Sequence, residues 1–203
     1  MATAAVTPSL LADPAPPAPR RPRVLLLGSA FGAVASALTI LSLIAVYLQQ
    51  RGEEIAAGHT ALPEGVVLPL TPGNMGLATL AMSAVTMAWV VHSLRNNDRP
   101  HAYFALFWML VFGVAFINST VYLYQQLALS PTSGPVAGLF YAITGAHLVM
   151  VVVGMLFFTV MGFQALGGQL TGRDAEGMSA AALYWYGTIA VYVVIWYAVY
   201  ITK

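Results

Sequence analysis

Five stretches of this sequence, 24–49, 74–94, 103–124, 136–166 and 181–201, contain no Asp, Glu, Lys or Arg. Each is close to, or longer than, the about 20 apolar residues that a helix needs to cross the hydrocarbon core of a bilayer. Hydrocarbon offers the backbone no hydrogen-bond partners, so a run of this length must satisfy its own N–H and C=O groups as a helix. The expected fold is all-α: a polytopic membrane protein, a bundle of five transmembrane helices. Only 7% of the chain is charged and 59% is hydrophobic, whereas soluble domains carry roughly 25% charged residues. The fourth stretch is the longest, so it must tilt or extend beyond the bilayer.

The remaining sequence divides accordingly. Residues 1–22, rich in Ala and Pro, read as a disordered cytoplasmic tail. They lack the charged start and apolar centre of a signal peptide. Residues 23–203 form the five-helix transmembrane domain. Residues 51–73, with Glu53, Glu54 and Glu64, read as a polar outer loop. RNNDRP (95–100) is a tight basic turn, SPTSGP (130–135) is uncharged, and 167–177 is polar with Arg173. An N-terminus inside puts Arg20, Arg21, Arg23, Arg95, Arg99 and Arg173 on the inner side, leaving Arg51 and Lys203 outside. This is the cationic bias that inner loops carry, so the expected orientation is N-inside and C-outside. Small residues in the first two spans, including a Gly28–Gly32 pair, suit close packing within one bundle.

Several function classes fall away. Eight Lys and Arg in total are too few for a nucleic-acid footprint. There is no cysteine, which excludes disulfides and thiolate chemistry. Ion-coupled transporters and proton pumps keep costly charges inside the membrane because they use them, and no span here holds one. Neither a nucleophile–base pair, a phosphate loop nor paired carboxylates can be found.

Four histidines remain as candidate ligands. His59 falls in the outer loop, His92 near the inner end of the second span, and His101 at the inner end of the third. His147 stands in FYAITGAHLVMVVVG (140–154), near mid-membrane. At 1.5 Å per residue His92 lies roughly 27 Å from the outer end of its span and His147 roughly 17 Å from that of its own. A mismatch of about 10 Å at that rise disfavours a bis-histidine haem, which needs two ligands at one depth. A metal needs three or four ligands, and none gather in the sequence. His147 therefore reads as a neutral imidazole hydrogen-bonded to another helix, avoiding an unsatisfied polar group in hydrocarbon. Thr144 lies one turn before it. Ser83, Thr86, Asn118, Ser119 and Thr120 are the candidate partners on other spans.

The order of these segments resembles subunit III of the haem–copper (cytochrome c) oxidases, in a short five-helix form that lacks the first two of seven helices. Phe140, Tyr141, Thr144, Gly145 and His147 match the family's F-Y-x-x-T-G-x-H. Met150 stands where a second histidine is usual. LATLAMSAVTMAWVVHSLRNND (77–98) resembles the family's corresponding span through Ser83 and Thr86. VYLYQQL (121–127) aligns with its Y-E-Y segment, with Leu123 replacing the Glu. Tyr184, Trp185, Tyr186 and Ile189 stand where the family reads Y-W-H-x-x-D, and Ser36 where it usually has a Glu.

The resemblance implies a non-catalytic accessory subunit of a respiratory terminal oxidase. Such a subunit packs against the catalytic subunit, binds phospholipid, and supports stability and proton-coupled electron transport. It implies partner subunits I and II, haem and copper in the catalytic partner with no cofactor in this chain, and a bacterial plasma membrane, and it leaves open a place in a larger respiratory supercomplex. His147, Thr144, Gly145, Ser83, Thr86, Tyr184 and Trp185 are the expected lipid-contact or helix-packing residues. The face Gly138, Ala142, Gly145 and Val149 of the fourth span is small enough for a helix or an acyl chain. The alternatives are an accessory subunit of a nitric oxide reductase-type complex, and a small membrane carrier or sensor.

Overall fold

The computed structural model describes residues 23–202 apart from 61, 64, 128 and 171–175. The expected tail, Glu64, Arg173 and Lys203 lie outside the described residues. The described residues form five helices: α1 (Val24–Ala56), α2 (Leu70–Arg95), α3 (Arg99–Gln126), α4 (Pro135–Leu166) and α5 (Glu176–Ile195), the last continued by a π-helical turn, Trp196–Ile201. All five are long and apolar enough to cross a membrane. The chain is an all-α, multi-pass membrane protein.

The helices outrun the apolar stretches because polar residues extend them. Gln49 and Gln50 donate to the Glu53 carboxylate at 3.0 and 3.3 Å, one turn along the same helix. Arg51, Glu53 and Glu54 thus belong to α1 rather than to a loop beginning at residue 51. α2 starts at Leu70 with Pro72 in its first turn, where no backbone N–H is needed. α3 starts at Arg99. Asp98 accepts from the His101 backbone N–H at 3.4 Å and pairs with the His101 ring at 2.8 Å. That ring hydrogen bond is the main reason the exposed Asp98 carboxyl is held below its ordinary range. This contribution to the cap is present above the usual aspartate range and is lost as pH falls through the depressed value. Asn97 precedes it at φ 55°, a left-handed conformation that Asn tolerates, which closes the α2–α3 turn.

The start of α5 is tied to the start of α1. The Glu176 carboxylate accepts the Leu26 backbone N–H at 3.5 Å, a first-turn donor with no partner in its own helix. The Ser29 hydroxyl donates to the Ala180 carbonyl. A Cβ on Gly187 would lie 3.2 Å from Ala33. The close α1–α5 crossing is therefore made by Ser29 and Ala33, while Gly28 is exposed. At the other end the Arg51 guanidinium donates to the Thr202 hydroxyl at 3.1 Å.

α5 packs against α1, α2 and α4, and α2 lies along α3. Burial follows: 56% of α5's most apolar window is buried, against 17% for α1. Phe31, Val34 and Leu38 of α1 are exposed, which hydrocarbon tolerates and water would not. Glycine notches, at Gly73, Gly76 and Gly154 among others, set how closely α5 and its π-helical end can sit. A Cβ on Gly154 of α4 would come within 2.9 Å of the Trp185 indole. One on Gly73 of α2 would come within 3.0 Å of the Tyr200 ring.

Candidate functional site

Two polar clusters in the bundle interior meet α5 at successive levels of one face, at Trp185 and at Thr188–Tyr192. The first joins α2, α4 and α5. Trp185 is 0% exposed, lies over Gly154 and packs edge-on to Phe158 with ring centroids 5.4 Å apart. Its indole N–H donates to the Ser83 hydroxyl at 2.9 Å, and that hydroxyl donates in turn to the Leu80 carbonyl at 2.6 Å. Two residues 102 positions apart thus satisfy each other inside the membrane. Ser83→Ala leaves a fully buried N–H without a partner, so the expected cost is about 1–3 kcal/mol. Adding Trp185→Phe to it should relieve part of that cost. Thermal unfolding of the two variants reads the difference, and equal melting temperatures for Ser83→Ala and wild type would contradict the bond's role.

The second cluster surrounds His147, which is 1% exposed. Its Nε2 lies 3.0 Å from the Thr188 carbonyl oxygen on α5. A carbonyl only accepts, so Nε2 carries the proton and Nδ1 is the lone-pair nitrogen. Phe116 and Tyr192 wall the ring at centroid distances of 5.4 and 5.2 Å. The interhelical bond goes to a backbone oxygen rather than to any of the hydroxyls of Ser83, Thr86, Ser119 or Thr120. Those hydroxyls serve carbonyls: Thr86 that of Ser83, Ser119 that of Pro72, Thr120 that of Phe116. Thr144, one turn from His147, donates to the Phe140 carbonyl at 2.8 Å and accepts from the Tyr124 hydroxyl at 2.7 Å.

The other candidates lie apart. Thr86 is half-buried and bonds only within α2. Gly145 is half-buried with open space where a side chain would be. Its neighbours Ala142 and Val149 are exposed, so that small face of α4 looks outward. Tyr184 is buried against Gly32 and Gly154. His59 pairs with Glu54 at 3.3 Å, His92 with Asn96 at 3.0 Å, and His101 with Asp98. Among the described residues no three of His, Asp and Glu gather as a metal site would require.

Residues 27–203 match the family described as cytochrome c oxidase subunit III. The chain belongs to the cytochrome c oxidase subunit III family. It is similar to cytochrome c oxidase subunit 3 of Bos taurus and of Bos mutus grunniens. Each is 30% identical over 141 residues, which is 68% of this chain and 54% of the relative. The same protein of Tragelaphus imberbis is 29% identical over the same lengths. The chain thus spans about half the length of these curated relatives.

In this subunit III family member the departures from the family's pattern occupy distinct settings. Leu123 and Met150 are buried, and Ser36 and Ile189 are half-buried. Three residues that build the interior were not singled out from the sequence: Thr188, Tyr192 and Tyr200. Tyr192 donates to the Gly73 carbonyl at 3.1 Å and meets Phe116 edge-on. A signal was present, since Trp185, Thr188, Tyr192 and Ile195 recur at helical spacing of three and four along one face of α5.

Proposed function

We propose that the chain is a non-catalytic accessory subunit of a respiratory haem–copper terminal oxidase, set in a bacterial plasma membrane with its N-terminus inside. It packs beside the catalytic subunit I and subunit II, in which the haem and copper reside, and stabilises them through lateral helix contacts. Membership of the subunit III family is the observation that carries this reading. The interior supports it: the buried polar groups are used in bonds between and within helices. The orientation is supported by the charges, since Arg23, Arg95 and Arg99 lie at the end where α1 and α5 begin, and Arg51 at the opposite end. The test is isolation of the chain from its native membranes and the absorption spectrum of what accompanies it. Haem and copper characteristic of an oxidase support the reading. Haems of a nitric oxide reductase would replace it with the alternative complex, and a haem-free chain would overturn both.

Phospholipid retention belongs to the same proposal. A groove runs from the inner end of the bundle between α1, α2 and α5. Its first part, about 520 Å³, is bordered by His92, Arg95, Ser179 and Tyr186. Leu183 and Tyr186 carry it into a second part of about 470 Å³ walled by Ala33, Ala37, Ala190 and Val194. Cationic and hydroxyl groups at one end and an apolar channel beyond match a phosphate headgroup and its acyl chain. Arg95 reaches Ser179 at 3.4 Å, which holds the guanidinium at the mouth. Arg95→Gln is expected to lower the anionic phospholipid that stays with the purified protein. Native mass spectrometry reads this, and unchanged lipid stoichiometry would remove the groove from the proposal.

A further inference from the structure

A small cavity of about 10 Å³ lies among α2, α3, α4, α5 and the π-helical turn, bordered by residues that include Ser119, Thr120, Thr144, His147, Tyr192 and Tyr200. That is room for one water molecule and little else. The hydrogen bonds around it are lopsided. Ser119, Thr120, Thr144 and Tyr192 each donate their hydroxyl proton to a backbone carbonyl. They therefore have only lone pairs to offer. His147 spends its one N–H on Thr188, so its other nitrogen is also an acceptor. Tyr200 is the exception. It is 2% exposed, and its hydroxyl bonds to no described residue. Every fully covered side-chain oxygen and nitrogen among the described residues has a partner, so the Tyr200 oxygen retains some open surface, and Tyr200 is among the residues that border the cavity.

We propose that this cavity is a binding site for a single ordered water that joins Tyr200 to His147. A water has what the wall lacks: two protons for a wall of acceptors, and a lone pair for the one unspent donor. It accepts from the Tyr200 hydroxyl, donates to Nδ1 of His147, and gives its second proton to a Ser119 or Thr120 oxygen. The π-helical turn explains why Tyr200 is available. The wider turn shifts the register of the last residues of α5 and lays the Tyr200 ring over Gly73, where a Cβ would stand 3.0 Å away. The water then adds this turn to α3 and α4, which the Tyr124–Thr144 bond already joins. The inference is independent of the oxidase assignment, because it rests on the interior of this chain alone.

The experiment is a structure of the purified protein at a resolution that shows ordered waters, compared with Tyr200→Phe. The expected wild-type result is a density peak about 2.7–3.0 Å from both Tyr200 Oη and His147 Nδ1. The peak should be lost or displaced in Tyr200→Phe with the helices unmoved. An empty cavity in a map that shows other buried waters would overturn the proposal. So would a direct Tyr200–His147 bond, or contacts of about 2.4 Å from acceptors alone, which would mark a cation in place of water. If Tyr200→Phe does not fold, radiolytic hydroxyl labelling of the wild type decides. Fast labelling of Tyr200 supports a water beside it, and labelling as slow as at the dry Phe158 contradicts one.

Discussion

Trp185→Ala should lower the stability of the purified protein by about 3–5 kcal/mol, the range for removing a large buried aromatic side chain. It is the largest effect expected of any single truncation here, because the indole joins three helices at once. It fills the notch at Gly154 on α4, meets Phe158 edge-on, and donates to Ser83 on α2. Trp185→Phe retains much of the packing but loses the N–H and part of the ring, so a smaller loss is expected, about 1–2 kcal/mol by the net worth of one hydrogen bond and a partly filled site. Thermal unfolding in one detergent orders the series. A Trp185→Ala protein that melts with the wild type would mean that α5 is held by other contacts.

His147→Ala should cost about 2 kcal/mol, from a cavity inside the Phe116–Tyr192 cage and a lost bond to Thr188. Haem bound by the proposed oxidase partner should stay at its wild-type ratio, because the ring is walled by Phe116 and Tyr192 and the cavity it borders holds only about 10 Å³. Stability is read by thermal unfolding and haem by its absorption spectrum. Loss of haem with this subunit still in place would show that His147 does more than hold helices together.

Much of this architecture is legible in the sequence, for a physical reason. A bilayer permits few ways to bury a backbone, so five uncharged apolar stretches dictate five helices. The helix ends were less legible. Hydropathy marks where a span leaves hydrocarbon, while Gln49, Glu53 and Asp98 decide where the helix itself stops or starts. The site was legible only by composition. Ser83 stood out as a hydroxyl in an apolar span and Trp185 through the family resemblance, but nothing in the chain says that residues 102 positions apart are partners. The partner of His147 was less visible still. A backbone carbonyl carries no sequence signature, and the hydroxyls that drew attention were already bonded to carbonyls. Likewise the Gly28–Gly32 spacing pointed to close packing on α1, where Gly32 does face Tyr184 but Gly28 is exposed and Ser29 and Ala33 make the closest contacts.

The proposed role requires this chain to be a helix-packing subunit beside a redox partner. The most direct measurement is to isolate it, under mild detergent, from the membranes in which it occurs, and to record the haem spectrum and copper content of what comes with it. That role predicts haem and copper in a larger co-purifying subunit, and none once that partner is stripped away. A chain that stays haem-free and alone throughout, or one that keeps a haem band of its own after every partner is removed, would contradict it.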